Sequence, residues 1–149
     1  MLEQWNNISI NPYKTVTWTS YDRVGNVIYH TDCMMTLLNE HAVLCVTAIK
    51  NKKERKKVIL ELCNPPQNKV PYKILELDRK EVEGMCANMF NLVDRHGKNT
   101  IIMSDRARRT YTDEKFMELC ECYNVVVANI DMIEHVGGGS TRCMLAEKF

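Results

Sequence analysis

The 149-residue sequence lacks an excess of charge of either sign, since 20 basic residues face 19 acidic ones and leave a formal net charge of +1. This balance gives no sign of a nucleic-acid partner or of an anionic membrane surface. An apolar run near the roughly 20 residues of a membrane helix is also lacking. The polar start, MLEQWN, is unlike a secretory leader. We therefore expect a cytoplasmic protein that binds neither nucleic acid nor membrane.

A disulfide framework is not indicated either, because the seven cysteines are an odd number and no leader precedes them. Cys45, Cys63 and Cys120 lie in apolar runs, where a free thiol behaves as a small hydrophobic group. The residues are 45% hydrophobic and 26% charged, an ordinary globular balance. The sequence therefore predicts a single reduced domain over residues 1–149.

What the chain does contain is a set of recurring segments. Extended runs at 13–19, 72–78 and 123–130 each begin with a tyrosine and read as strands. Helix-period stretches precede the second and third of them, at Lys52–Cys63 and Asp113–Tyr123. Thr112 is a plausible N-cap for the latter. The β-runs Ala42–Ile49 and Thr100–Ser104 come just before those helices.

A third kind of segment leads each unit and carries methionines spaced by 55 residues, at Met34, Met89 and Met144. The order is therefore strand, strand, helix, strand, repeated in modules that pack against one another. A chance spacing of methionine-rich core strands is the alternative. An array that starts and stops within a unit exposes strand edges, which favours a partner. The leading segments are Asp32–Met35, Ala87–Phe90 and Arg142–Leu145.

The most unusual local feature is three successive glycines shortly before Cys143. Glycines allow positive φ and close backbone approach to a ligand. A nucleotide phosphate loop does not fit, because a β-like run follows and the loop's lysine is absent. The pattern favours a nucleophilic cysteine at the start of a strand, with a flexible turn before a buried cysteine as the alternative.

His30 and Asp32 form the second candidate feature. On an extended segment, residues two apart share a face, so both side chains would point the same way. Histidine transfers protons near neutral pH, and a nearby carboxylate can hold a cationic group. A single histidine and aspartate at this spacing is weak evidence for a catalytic site. However, His30 lies three residues before Cys33, which is the repeat equivalent of Cys143, so a ring of modules would bring both features to one centre.

The motifs GGGSTRCM and IYHTDCMM resemble the nucleophile and histidine motifs of the pentein superfamily of guanidino-modifying enzymes. The resemblance runs from about Tyr13 to the C-terminus. It is strongest toward amidinotransferase-like citrulline hydrolases and arginine deiminases, and the superfamily also contains dimethylarginine hydrolases. It implies an α/β fold, a five-bladed propeller of ββαβ units of which this chain would supply the C-terminal half, about two and a half modules.

The same resemblance implies a hydrolase mechanism that needs neither metal nor other cofactor. Cys143 attacks the guanidino or ureido carbon of a small substrate, either arginine, a modified arginine or citrulline. His30 protonates the departing amine, and water cleaves the covalent intermediate. Since a free thiol has a pKa of about 8.5, a cationic substrate or Arg142 would assist. Arg142 is expected on the opposite face of the strand.

Further substrate-binding residues follow from the same resemblance. Asp32 matches the residue that holds the guanidinium in arginine deiminases, whereas similar citrulline hydrolases carry Asn there. Asn88 occupies the repeat position of Cys143, although a polar core residue is an equal alternative. The predicted substrate-binding set is Asp32, Asn88, Gly138, Gly139 and Arg142.

Two acidic anchors of the superfamily site lack counterparts upstream of His30, where Glu3 is no credible substitute. We therefore expect a homo-oligomer or a complementing N-terminal half, with a fragment or a non-catalytic binding module as alternatives. A zinc site at Cys120, Cys122 and His135 is disfavoured, because helical residues two apart diverge. The basic run 50–57 could contact phosphates but better fits the solvated start of a helix.

Overall fold

The computed structural model describes residues 14–65 and 70–146, and its first half contains a three-stranded sheet. The first two strands are antiparallel, with Met35 opposite Leu44. The third strand runs parallel to the second and is reached through a helix. In chain order these elements are β1 (Met35–Leu37), β2 (His41–Leu44), α1 (Lys52–Cys63) and β3 (Lys73–Glu76).

A second sheet has the same strand order, the same strand directions and helices in the same place. The short helix α2 (Arg79–Glu83) connects the two sheets. The predicted α/β class is therefore confirmed. The elements of the second unit are β4 (Phe90–Val93), β5 (Asn99–Ser104), α3 (Asp105–Thr110), α4 (Asp113–Cys122) and β6 (Asn124–Ala128), followed by α5 (Asp131–Gly137) and α6 (Thr141–Met144).

The two longest helices form where local signals are strongest. The side chain of Asn51 caps α1 by accepting hydrogen bonds from the backbone of Lys53 and Glu54. Thr112 caps α4, as the sequence predicts, by accepting one from the backbone of Lys115. Each helix buries an apolar stripe against its sheet; Val58 and Leu62 are buried on α1 and Leu119 on α4.

Several predicted strands are wrong. Tyr13 lies outside the described residues, and 14–19 form no strand, because the pairing there is reduced to an isolated bridge between Ser20 and Ile49. The strand predicted at Ala42–Ile49 ends at Leu44, where a 3-10 helix at Val46–Ala48 follows. The run Arg142–Leu145, predicted to be a strand, begins in the helix α6.

One continuous apolar core joins the two units, with polar contacts at its margin. The hydroxyl of Tyr123, from the second unit, accepts hydrogen bonds from the backbone of Glu40 (3.0 Å) and His41 (3.2 Å), in the first. The same hydroxyl lies 3.0 Å from Nδ1 of His41. Glu118 on α4 also contacts Lys73 on β3, with 2.8 Å between Oε1 and Nζ. The relative position of the units is thus fixed by specific side chains.

No helix in the described part of the chain is long and apolar enough to cross a membrane.

Candidate active site

Cys143 lies in α6, shortly after a tight turn that joins α5 to α6. Gly138 ends α5 in the left-handed conformation, with a φ of +72° that glycine adopts without strain. At Gly139 a methyl group would lie 2.8 Å from the Cβ of Cys143 and 3.2 Å from its Sγ. The two glycines predicted to bind substrate therefore shape the turn and leave room for the cysteine, which is exposed.

Hydrogen bonds from the residues just before the cysteine fix this turn. Ser140 is fully buried and its hydroxyl donates to the buried carboxylate of Glu134 on α5. The hydroxyl of Thr141 lies 2.7 Å from the backbone oxygen of Asn88 and 3.1 Å from that of Ile102. These tertiary contacts explain why the predicted strand is instead a helical turn: they bend the backbone toward β5.

The sulfur of Cys143 meets two side chains that are distant in sequence. The thiol donates to Oδ2 of Asp32 at 3.3 Å, across 111 residues of chain. The side-chain nitrogen of Asn88 donates to the sulfur at 3.2 Å, across 55 residues. The structure thus brings together Asp32, Asn88 and Cys143, three of the residues that the sequence predicts at one centre.

His30 lies at the outer side of this group. Its Nδ1 is 3.8 Å from Oδ1 of Asp32, and its side chain is 61% exposed. The two residues were predicted on an extended segment. Instead, His30 is the extended residue that precedes a 3-10 helix at Thr31–Cys33, and Asp32 lies within that helix. They are still neighbours because the tight turn brings the carboxylate back toward the ring.

The carboxylate of Asp32 is only partly satisfied. Its Oδ1 is shielded from solvent and has no hydrogen-bond partner among the described residues. Because a buried oxygen without a donor is costly, this atom is the least stabilised part of the carboxylate. Asp32 also affects Cys33: burial first, then the charges of Asp32 and Cys143, raise the pKa of the Cys33 thiol.

An open cleft of about 450 Å³ shares Asp32 with this group and has Arg142 in its wall, whereas Cys143, Asn88 and His30 are not among its lining residues. The guanidinium of Arg142 lies 5.1 Å from the centre of the Phe90 ring, in a cation–π geometry. The expectation that Arg142 lies on the opposite face of a strand does not apply, since this segment is helical. The cleft is lined by Thr31, Asp32, Met35, Thr36, Leu37, Met89, Asn91 and Arg142.

The cysteines of α4 have no further possible metal ligands grouped with them among the described residues. Cys120 is exposed, and Cys122 lies two positions further along the same helix. Within 14–65 and 70–146, no three His, Cys, Asp or Glu side chains are grouped so that they could hold a metal ion.

The family of the chain is shown by its sequence as a whole. The model of the eukaryotic N,N-dimethylarginine dimethylhydrolases matches residues 3–149. The chain belongs to this family. Dimethylarginine dimethylhydrolases are pentein-superfamily, guanidino-modifying enzymes, so the resemblance carried by GGGSTRCM and IYHTDCMM is confirmed. Among curated proteins, none matches the sequence.

A solved structure supports the fold of this member of the dimethylarginine dimethylhydrolase family. The crystal structure of apo ArgZ, an arginine dihydrolase from the ornithine–ammonia cycle in cyanobacteria, aligns with a TM-score of 0.59 and 16% sequence identity. The alignment covers 84% of this chain and 17% of the ArgZ chain. At this identity the likeness concerns the fold alone, and the chain corresponds to a small part of that protein.

Sequence reasoning missed three residues that build this dimethylarginine dimethylhydrolase-family site. Ser140, Thr141 and Glu134 are buried and hold the turn before Cys143. Ser140 and Thr141 stood inside the recognised motif, so their position next to the glycines was an available signal. The only sequence signal for Glu134 was its position six residues before Ser140. That spacing indicates a contact only when α5 is known to end at the glycines.

Proposed function

We propose that this chain carries the cysteine-bearing part of a hydrolase that cleaves a C–N bond at the guanidino carbon of arginine or a methylated arginine. The observation that carries the proposal is that the side chain of Asp32 lies close to both Cys143 and His30. The sulfur of Cys143 lies 3.3 Å from one oxygen of Asp32, and the other oxygen lies 3.8 Å from Nδ1 of His30. Asp32, the acceptor for a cation, thus contacts both the proposed nucleophile and the proposed proton-transfer group.

In the proposed reaction, Asp32 binds the N–H groups of the cationic substrate. His30 takes the thiol proton of Cys143, and the thiolate forms a bond to the guanidino carbon. When the C–N bond breaks, the amine leaves with the proton that His30 held. Water then attacks the same carbon and gives a proton to His30. The C–S bond breaks, the thiolate takes that proton back from His30, and the remaining proton of the water goes to the released amine.

Asp32 directs the choice of substrate in this proposal. A carboxylate pairs with a positively charged guanidinium much better than with a neutral ureido group, because the pair is a charge-assisted hydrogen bond. The family name favours N,N-dimethylarginine and the ArgZ structure favours arginine. We therefore rank both above citrulline. The roles of Cys143 and His30 in bond cleavage, and of Gly138, Gly139 and Arg142 beside the substrate, belong to this proposal.

The proposal includes a partner that completes the site. Asp32 is the only carboxylate among the described residues that line the cleft, whereas the superfamily site uses further acidic anchors. We propose that a second copy of the chain or a complementing N-terminal half supplies them, as neighbouring modules of an α/β propeller would. A binding module without catalysis is the second candidate, and the same single carboxylate favours it.

The test is turnover by the purified chain with arginine, N,N-dimethylarginine and citrulline, followed through the released ammonia or dimethylamine and the amino-acid product. Cys143→Ala should lower turnover by at least about a thousandfold, as for other nucleophiles. Cys120→Ala, which removes an exposed thiol on α4, should leave turnover unchanged. Activity that survives Cys143→Ala would refute the proposed nucleophile.

The oligomeric part is tested by the dependence of specific activity on protein concentration, with sedimentation to count the copies. Specific activity that rises as the chain associates supports a self-complementing enzyme. A folded, associated protein without turnover of any of the three substrates would favour the binding module.

A further inference from the structure

A single buried residue, Asn88, contacts three consecutive residues of α6, the helical turn that carries the cysteine. Its backbone oxygen accepts from the hydroxyl of Thr141 at 2.7 Å. Its side-chain oxygen accepts from the backbone N–H of Arg142 at 2.9 Å. Its side-chain nitrogen donates to the sulfur of Cys143 at 3.2 Å. Asn88 itself is 1% exposed, whereas the cysteine that it contacts is exposed.

The orientation of the amide follows from its partners. A backbone N–H can only donate, so the amide group that faces Arg142 must be the oxygen. The NH₂ group is therefore turned toward the sulfur, and it also lies 3.5 Å from the backbone oxygen of Asp32, an acceptor. If the amide were reversed, its NH₂ group would face the backbone N–H of Arg142, and its oxygen would face the backbone oxygen of Asp32. The group that meets Cys143 is thus a donor.

This donor matters most after the thiol has lost its proton. In the neutral form, the thiol donates to Asp32 and the contact with that carboxylate is favourable. In the thiolate form, the same carboxylate repels the sulfur. The amide of Asn88 then donates to an anion, and hydrogen bonds to charged groups are the stronger class.

We propose that Asn88 is a positioning residue of the nucleophile, which holds the Thr141–Cys143 turn and stabilises the thiolate of Cys143. This inference rests on the proposed role of Cys143 and replaces the substrate-binding role expected for Asn88. Both ends of its amide are engaged by this chain, in contrast to Oδ1 of Asp32. Position 88 is one repeat before position 143, so one module supplies the support for the nucleophile of the next.

The test follows alkylation of Cys143 by iodoacetamide as a function of pH. Trypsin cleaves after Arg142 and Lys148, which places Cys143 on a peptide of its own for mass spectrometry. Asn88→Asp keeps the oxygen that faces Arg142 and removes the donor, and Asn88→Ala removes both. In Asn88→Ala the pH of half-maximal alkylation should rise by about one to two units, as expected for a lost hydrogen bond to an anion. In Asn88→Asp it should rise further, because the new carboxylate also repels the thiolate.

Thr141→Val is the matched control, because it removes another bond between Asn88 and the same turn without touching the sulfur. It should lower the melting temperature and leave the alkylation midpoint in place. A midpoint that stays unchanged in a folded Asn88 variant would overturn the proposal. An equal rise in Thr141→Val would also overturn it, since looseness of the turn would then be the cause.

A second measurement needs no Asn88 variant. In the intact protein, the NMR resonances of the Asn88 side-chain NH₂ should shift with pH at the alkylation midpoint, and Cys143→Ser should abolish that shift. If the chemical shifts of these resonances do not change over the pH range of the titration, the contact with the thiolate is refuted. Neither measurement requires turnover. A folded but inactive chain would therefore contradict the proposed function, and the alkylation midpoints and the NMR titration would still decide the role of Asn88.

Discussion

At the scale of single residues, the site depends on one carboxylate with two different neighbours. Oδ2 of Asp32 accepts from the thiol of Cys143, and Oδ1 is buried without a hydrogen-bond partner among the described residues. Asp32→Asn keeps the shape and removes the charge. We expect Cys143 to alkylate faster at neutral pH, because an adjacent anion disfavours the thiolate. Turnover of arginine should fall by about a hundredfold or more. Slower alkylation together with unchanged turnover would contradict this account of Asp32.

The glycines before the cysteine provide a second test at this scale. Gly139→Ala would press a methyl group within 2.8 Å of the Cβ of Cys143, so the nucleophile must move. A displacement of about 1 Å near reacting atoms can cost about a hundredfold in rate, and we expect a loss of turnover of that order with the fold retained. Gly137→Ala is the matched control, since nothing lies within 4 Å of the added methyl group. Equal losses in both variants would show that helix α5 is what matters.

At the scale of elements, α4 is held to β3 by the pair of Glu118 and Lys73. The hydrogen bond from Lys73 lowers the pKa of Glu118 below its ordinary value of 4.5, against a smaller opposing effect of burial. A lowered folded-state pKa contributes stability above the unfolded value, and this contribution is lost as pH falls through the folded value. Glu118→Gln should therefore reduce the free energy of unfolding by about 0.5–1 kcal/mol at neutral pH.

Urea titrations at neutral pH and at about pH 3 check this prediction, since the ordinary carboxyl pKa lies between them. The difference between wild type and Glu118→Gln should shrink at the lower pH. Glu121→Gln, an exposed change on the same helix, is the control and should alter stability little at either pH. If the stability difference between wild type and Glu118→Gln is as large at about pH 3 as at neutral pH, it arises from packing and not from the charge of Glu118.

Local signals made the helices predictable and the turn at Cys143 unpredictable. The helical period alone predicts α1 at Lys52–Cys63, as observed, and Thr112 is the predicted cap of α4. The run Arg142–Leu145 reads locally as β-like, but Thr141 and Arg142 bond to Asn88 and Ile102, which are far away in sequence. The repeat places 88 and 143 at equivalent positions, which suggests that Asn88 lies near Cys143 but leaves a polar core residue as an equal alternative. The contacts of the Asn88 amide could not be foreseen, since they depend on side-chain orientation.

At the scale of the whole molecule, the two units are joined by Tyr123. Its hydroxyl binds the backbone of Glu40 and His41 in the other unit. Tyr123→Phe leaves two backbone donors without their acceptor, so the free energy of unfolding should fall by about 1–3 kcal/mol. Tyr72→Phe removes a hydroxyl that makes no hydrogen bond within the described residues, and we expect a change below about 0.5 kcal/mol. Chemical denaturation of both variants decides, and equal effects would refute the role of Tyr123 between the units.

The central claim, covalent catalysis at Cys143, is tested most directly by trapping the intermediate. Wild-type protein turning over N,N-dimethylarginine or arginine would be quenched in acid, digested with trypsin and analysed by mass spectrometry. The account predicts an added substrate-derived mass on the peptide that begins at Cys143 and on none that carries the other six cysteines. Product formation without any adduct at Cys143, or with the adduct on another cysteine, would contradict it.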